Sequence, residues 1–241
     1  MTEHPGGGTL LLVSAIAKYY GDQAALADIS FGIRRHEILG LIGPNGAGKT
    51  TLLEGMAGLL SMDRGTIMWE GALLGPAERR SVMFYLPDGV RPWQEQYVMR
   101  VLSFFGGVYR RSEAQIANVV ETVGLTAVLG KQVLALSKGY ARRLMWALAL
   151  LAPHPLLLMD EPFDGFDLRQ TREMIPVLRS LVENGRTLVL SIHQLQDAEL
   201  VCDRFVLLSN GRTCGIGTLD ELRTFSRQTS GGLEEVFLAL T

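Results

Sequence analysis

The sequence predicts an α/β fold, with a parallel sheet, an antiparallel β flank and an inserted helical subdomain. Three observations point there. From Leu156 onward, strand and helix patterns alternate, which implies parallel strands in a covered sheet. A glycine-rich turn at residues 43–48 follows a short apolar strand and precedes a helix-forming run. Residues 98–151 are helical by period and carry no comparable strand signal. At 241 residues the chain suits one domain, 1–241, long enough to bury a substantial core.

Taken in order, residues 10–31 mix apolar β-formers around a Tyr-Gly-Asp turn at 20–22, which predicts two antiparallel strands. Residues 37–42 read as a buried strand, and 49–58 as a helix with Gly58 placed to stop it. An alternating strand follows at 65–71. The helical subdomain spans approximately 88–152. Beyond it come strands at 156–159, 187–191 and 204–208, with helices at 168–183 and 195–201 between them. Asn210-Gly211 fits a tight hairpin turn. The tail, 219–241, reads as two short helices around Ser230-Gly231-Gly232.

Composition excludes several classes of function. The chain is 47% hydrophobic and 20% charged, which leaves no extended disorder to explain. A net charge of −2 supplies no basic field for a nucleic-acid backbone, so no nucleic-acid partner is expected. Cys202 and Cys214 lack metal or redox spacing and read as free thiols. The longest apolar runs, 9–13 and 144–152, fall well short of the ~20 residues of a spanning helix. The start, MTEHPGGGT, lacks a secretory leader pattern, so a cytoplasmic location is expected.

Gly43-Pro44-Asn45-Gly46-Ala47-Gly48-Lys49-Thr50 matches GxxxxGK[ST] between a predicted strand and helix, the context a P-loop requires. Its glycines let successive N–H groups converge on phosphate oxygens, and the helix N-terminus behind them adds a favourable dipole. Lys49 reaches the β- and γ-phosphates in this arrangement, Thr50 ligates Mg²⁺, and Thr51 continues the phosphate-binding turn. The core is therefore read as a P-loop NTPase. Residues 156–161, Leu-Leu-Leu-Met-Asp-Glu, form an apolar strand that delivers two carboxylates where α/β sheets place ligands. Asp160 suits the Mg²⁺ shell. Glu161 points beyond the metal and suits the attacking water, because phosphoryl transfer is mostly positioning plus charge stabilisation.

With these pieces in register, the chain resembles the ABC-type ATPases over essentially its whole length. Leu136-Ser137-Lys138-Gly139-Tyr140 is similar to the family's LSGGQ signature. The resemblance implies that Ser137 and Gly139 act in trans on nucleotide held by another subunit's P-loop, so the site is built by dimerisation. It also implies a switch-histidine role for His193, at the end of the 187–191 strand. Tyr20 resembles the aromatic that stacks on adenine, with Tyr19 as the competing assignment. Asp167 stands at the D-loop aspartate of the dimer seam, and it also suits a helix N-cap before Leu168.

Some positions depart from the pattern. Tyr85-Leu86-Pro87-Asp88 resembles the Q-loop, but Asp88 stands where a glutamine usually contacts Mg²⁺ and senses the membrane partner. A shorter, anionic side chain can ligate Mg²⁺ directly or through water, and a Pro-Asp-Gly turn without a metal role is the alternative. Lys138 and Tyr140 replace the second and last signature residues. None of these changes removes Lys49, Asp160, Glu161 or His193.

The resemblance therefore implies an ATP-hydrolysing subunit that uses ATP and Mg²⁺ and dimerises with itself or with a homologous subunit. Such a subunit would power a separate integral membrane permease from the inner face of the membrane. The acidic Q-loop and the apolar tail 233–240 resemble the exporter branch. Residues 88–111, with Trp93 and several aromatics, are the implied docking surface. A soluble ATPase with a non-transport role and a regulatory module that binds without hydrolysing are the competing classes.

Overall fold

A computed structural model describes residues 8–228 and 230–241. The amino-terminal residues that bear on a leader, 1–7, lie outside the described residues. Two sheets are stacked. The smaller is antiparallel, in the order β2-β1-β4-β5, built from β1 (Thr9–Tyr20), β2 (Gln23–Arg34), β4 (Arg64–Trp69) and β5 (Ala72–Leu73). The larger runs β10-β9-β3-β8-β7-β6 and comprises β3 (Ile38–Ile42), β6 (Met83–Leu86), β7 (Leu156–Asp160), β8 (Thr187–Ile192), β9 (Arg204–Ser209) and β10 (Arg212–Gly217). All its pairings are parallel except β9 with β10. The Asn210-Gly211 hairpin makes that exception, both residues having positive φ as a tight primed turn requires.

Successive residues of a strand face opposite sides, and the central strands use this to divide two cores. Leu39, Leu41, Leu156, Leu158 and Val189 face the core shared with the antiparallel sheet. Ile38, Ile42, Leu157, Met159, Leu188 and Leu190 face the other, helical core. A sheet buried on both faces explains why these strands read as continuous apolar runs. The helical side holds α3 (Val98–Val108), α4 (Glu113–Thr122), α5 (Lys138–Leu151), α6 (Leu168–Glu183) and α7 (Leu195–Val201), while α8 (Leu219–Phe225) and α9 (Leu233–Leu240) close the tail. Residues 88–152 contain α3, α4 and α5 and no strand.

Residues 72–86 carry elements that the sequence pattern does not announce: β5, α2 (Pro76–Val82) and β6. α2 is a Pro-initiated helix of about two turns, with the Glu78 side chain bonded back to Gly75 N–H. β6 has four residues and pairs only with β7, so no alternation develops to betray it.

Candidate functional site

The loop between β3 and α1 (Lys49–Ala57) is shaped by contacts that admit only glycine at two positions. A Cβ at Gly43 would stand 2.3 Å from Leu208 O. At Gly48, φ is +100° and a Cβ would meet Ala25 O at 2.8 Å. Gly46 also has positive φ, and a Cβ there would meet nothing within 4 Å. Pro44, Asn45 and Gly46 are exposed, Ala47 is buried, and Thr51 is half-buried on the first turn of α1. Lys49 is 6% exposed, and its Nζ donates to Gly43 O at 2.8 Å and to Pro44 O at 3.3 Å. The ammonium is thereby folded over the loop whose N–H groups would face phosphate.

Asp160 ends β7 and is 1% exposed. Three hydroxyls serve its carboxylate. Thr50 Oγ1 donates to Oδ2 at 2.7 Å, Tyr85 Oη donates to the same oxygen at 3.4 Å, and Ser191 Oγ donates to Oδ1. Burial, and then the Asp160 charge, push the Tyr85 phenol far above its ordinary range, so Tyr85 stays a neutral donor. Among the described residues no Lys or Arg pairs with Asp160. A buried carboxylate beside a threonine hydroxyl, met only by neutral donors, is a donor set suited to a hard divalent cation.

Glu161 adopts φ +46°, left-handed and uncommon for a non-glycine residue. Strain of this kind, of order 1–3 kcal/mol, persists only where surroundings over-determine it. Here Glu161 N donates to Ser191 Oγ at 2.9 Å, His193 Nδ1 lies 2.6 Å from Oε2, and Lys49 Nζ lies 3.7 Å from Oε1. The β7–β8 register places Asp160 directly opposite Ser191, so the ends of two adjacent parallel strands deliver Asp160, Glu161, Ser191 and His193, and α1 adds Lys49 and Thr50. A cavity of about 140 Å³ adjoins Glu161, His193 and Asp197. Burial raises the Asp197 carboxyl above its ordinary value, and the charge of His193 opposes that rise.

Lys49, Thr50, Asp160, Glu161 and His193 thus come together in one cluster. Ser191 and Tyr85 had no assigned part, although a small hydroxyl residue closing the strand before His193 was the available signal. Tyr19 and Tyr20 sit at the β1–β2 tip, 40% and 56% exposed, with Lys18 Nζ 5.6 Å from the Tyr20 ring centroid. Asp63 Oδ2 accepts Tyr19 N–H at 2.7 Å and steadies that tip.

Ser137 is exposed at the N-cap of α5, where its Oγ accepts Tyr140 N–H at 3.3 Å. Gly139 packs against the Gln170 amide, which a Cβ would approach to 3.1 Å. Asp167 caps α6 in a reciprocal pair with Gln170, so its capping role is realised. Asp88 lies against Arg142. Its Oδ1 accepts from Arg142 Nη2 at 2.5 Å, and among the described residues no hydrogen bond or ion pair joins it to Thr50 or Asp160. A short anionic side chain facing a buried guanidinium is drawn to that charge.

A P-loop, a buried metal-suited carboxylate and an adjacent glutamate held by lysine and histidine define an ATP-hydrolysing α/β protein. Residues 26–164, more than half of the chain, match the ABC transporter family, and the chain belongs to it. It is similar to a linearmycin resistance ATP-binding protein of Bacillus subtilis (strain 168), 30% identical over 95% of this chain and 78% of the relative. Nod factor export ATP-binding protein I of Rhizobium etli is 34% identical over 89% of this chain and 70% of that protein. A solved structure described as the ATP binding subunit of an ABC transporter superposes with a TM-score of 0.87 at 32% identity, covering 96% of this chain and 99% of the other. The chain is an ABC-type ATPase and binds nucleotide as the ATP-binding subunit of a transporter. Among the described residues no helix is long and apolar enough to cross a membrane.

Proposed function

We propose that two copies of this chain, or one copy and a homologous subunit, close around MgATP and reopen on hydrolysis, driving a separate integral membrane permease. The observation that carries the reading is Glu161, one residue beyond Asp160 and held between Lys49 Nζ at 3.7 Å and His193 Nδ1 at 2.6 Å. The loop N–H groups of 43–48 and Lys49 bind the phosphates, and Tyr20 stacks on adenine. Thr50 and Asp160 would hold Mg²⁺, which when bound neutralises charge across the β- and γ-phosphate oxygens. Glu161 accepts a proton from the attacking water or fixes its direction, and His193 keeps the carboxylate aimed. Ser137 and Gly139 supply the other half of a partner's site across a seam that includes Asp167.

The helical insertion, 88–152, is taken as the docking body at the inner, cytoplasmic face of the membrane. Its support is a cluster of exposed aromatics, Trp93 and Phe104 meeting edge to face with centroids 4.9 Å apart and each 53% exposed. The relatives' names, which specify linearmycin resistance and Nod factor export, favour outward transport. The test is Mg²⁺-dependent ATP turnover with oligomeric state by light scattering, for wild type and Glu161→Gln. A variant that dimerises with ATP but does not turn it over supports the reading. Unchanged turnover in Glu161→Gln removes Glu161 from its role, and a chain that never co-purifies with a membrane protein under mild extraction argues against the permease.

A further inference from the structure

Arg142 lies in the second turn of α5, the helix that Ser137 begins, and is 7% exposed. Its guanidinium reaches two loops at once. Nε donates to Asp164 O at 3.0 Å, and Nη2 contacts Asp88 Oδ1 at 2.5 Å and Asp164 Oδ2 at 3.6 Å. The turn after β6, the signature helix and the loop leaving Glu161 therefore meet at one side chain. A guanidinium's rigid fork fixes the direction of its partners as well as neutralising them.

The junction is asymmetric. Arg142 is anchored in a helix and buried, whereas the Asp88 and Asp164 side chains are 44% and 60% exposed. Its two carboxylates can let go into water, but Arg142 cannot leave without stranding a charge. When the turn carrying Asp88 moves, the guanidinium is left to Asp164, and the start of α5 must follow one loop or the other. Arg142 and Asp164 also line a cavity of about 130 Å³ with Gly89 and Lys138, which gives the fork room to turn.

We propose that Arg142 is a positioning residue for ATP hydrolysis: paired with Asp88, it holds the signature turn of its own chain in register with the Glu161 loop. Asp88 acts through this pair and not as a metal ligand. The helical insertion begins at Asp88, so a displacement of that segment by a docked partner passes through the pair to Ser137 on one side and to Asp164 on the other. This rests on the ATPase reading and names how the same site is regulated.

The experiment is a double-mutant cycle of Asp88→Asn, Arg142→Gln and the pair, reading kcat, KM for ATP, the half-saturating Mg²⁺ concentration and thermal unfolding. Each single change is expected to lower kcat by about tenfold with KM within about twofold. The double variant should fall no further than the worse single, because both remove one interaction. The Mg²⁺ requirement should stay at the wild-type value. A raised Mg²⁺ requirement in Asp88→Asn, additive losses in the double variant, or an unchanged kcat in Asp88→Asn would each overturn the proposal. Should Arg142→Gln unfold, Asp88→Asn and Asp88→Glu decide alone, since Asp88 is exposed: the first must lose kcat and the second must keep at least half of it. Wild type that fails to bind MgATP would instead overturn the ATPase reading and this proposal with it.

Discussion

His193 Nδ1 lies 2.6 Å from Glu161 Oε2, and the two residues come from the ends of adjacent parallel strands. The contact holds the carboxylate of a residue whose backbone is left-handed, φ +46°. His193→Ala should therefore lower kcat by roughly 10²-fold, at the lower end of what a positioned proton-transfer group contributes. ATP affinity, measured by calorimetry in the Glu161→Gln background, should change by less than about threefold. A parallel fall in affinity would show that His193 binds phosphate in the ground state instead.

Ser191 is fully buried and does two jobs, donating to Asp160 and accepting Glu161 N–H. Ser191→Ala leaves a buried carboxylate short of one donor and a backbone N–H without its acceptor. The expected cost is about 1–3 kcal/mol, read as a lower urea midpoint at unchanged slope. Turnover should fall more than stability explains, because Glu161 loses the tie that holds its unusual φ.

Gly43→Ala places a methyl carbon 2.3 Å from Leu208 O, and a backbone carbonyl in a central strand pair cannot step aside. Overpacking of this kind typically costs about 1–3 kcal/mol. The variant should still fold, by circular dichroism, while losing MgATP-induced thermal stabilisation. Retention of that stabilisation would mean that the loop tolerates a shifted strand.

Asp63 accepts the backbone N–H of Tyr19, the residue beside Tyr20. The Tyr19 N–H, with Lys18 behind it, draws the Asp63 carboxyl below its ordinary 3.8. A depressed carboxyl pKa contributes stability that is fully present above 3.8 and is lost as pH falls through the lower folded value. Asp63→Ala should raise KM for ATP by roughly threefold to tenfold, within reach of one stacking contact, and leave kcat unchanged. The tip should loosen on acidification below pH 3.8 in wild type but not in the variant, read by tyrosine fluorescence.

Much of this fold was legible because burial leaves marks at fixed spacing. Residues 168–183 and 195–201 fall where the pattern puts them, each helix starting just after a turn that a buried strand delivers. The P-loop and the Asp160-Glu161 pair were legible because their chemistry is local in sequence. Ser191, Tyr85 and Arg142 were not, since the partners of each lie 22 or more residues away and none has a motif of its own. Asp88 marks the limit most clearly: its residue type permitted a metal contact, and only the position of Arg142 in space gave it another partner.

Gly48 packs beneath Ala25 O on β2, Gly211 N–H donates to Ala47 O at 3.3 Å, and Ala27 N–H donates to Gly211 O at 2.7 Å. The phosphate loop is thus clamped between a strand near the start of the chain and a hairpin near its end. Such long-range closure forms late, because the loop entropy between distant segments must be overcome first. A chain emerging from the ribosome cannot shape its nucleotide pocket until residue 211 has been made. Premature termination before that hairpin should leave a product blind to ATP, and binding then becomes a report that synthesis reached the far edge of the sheet.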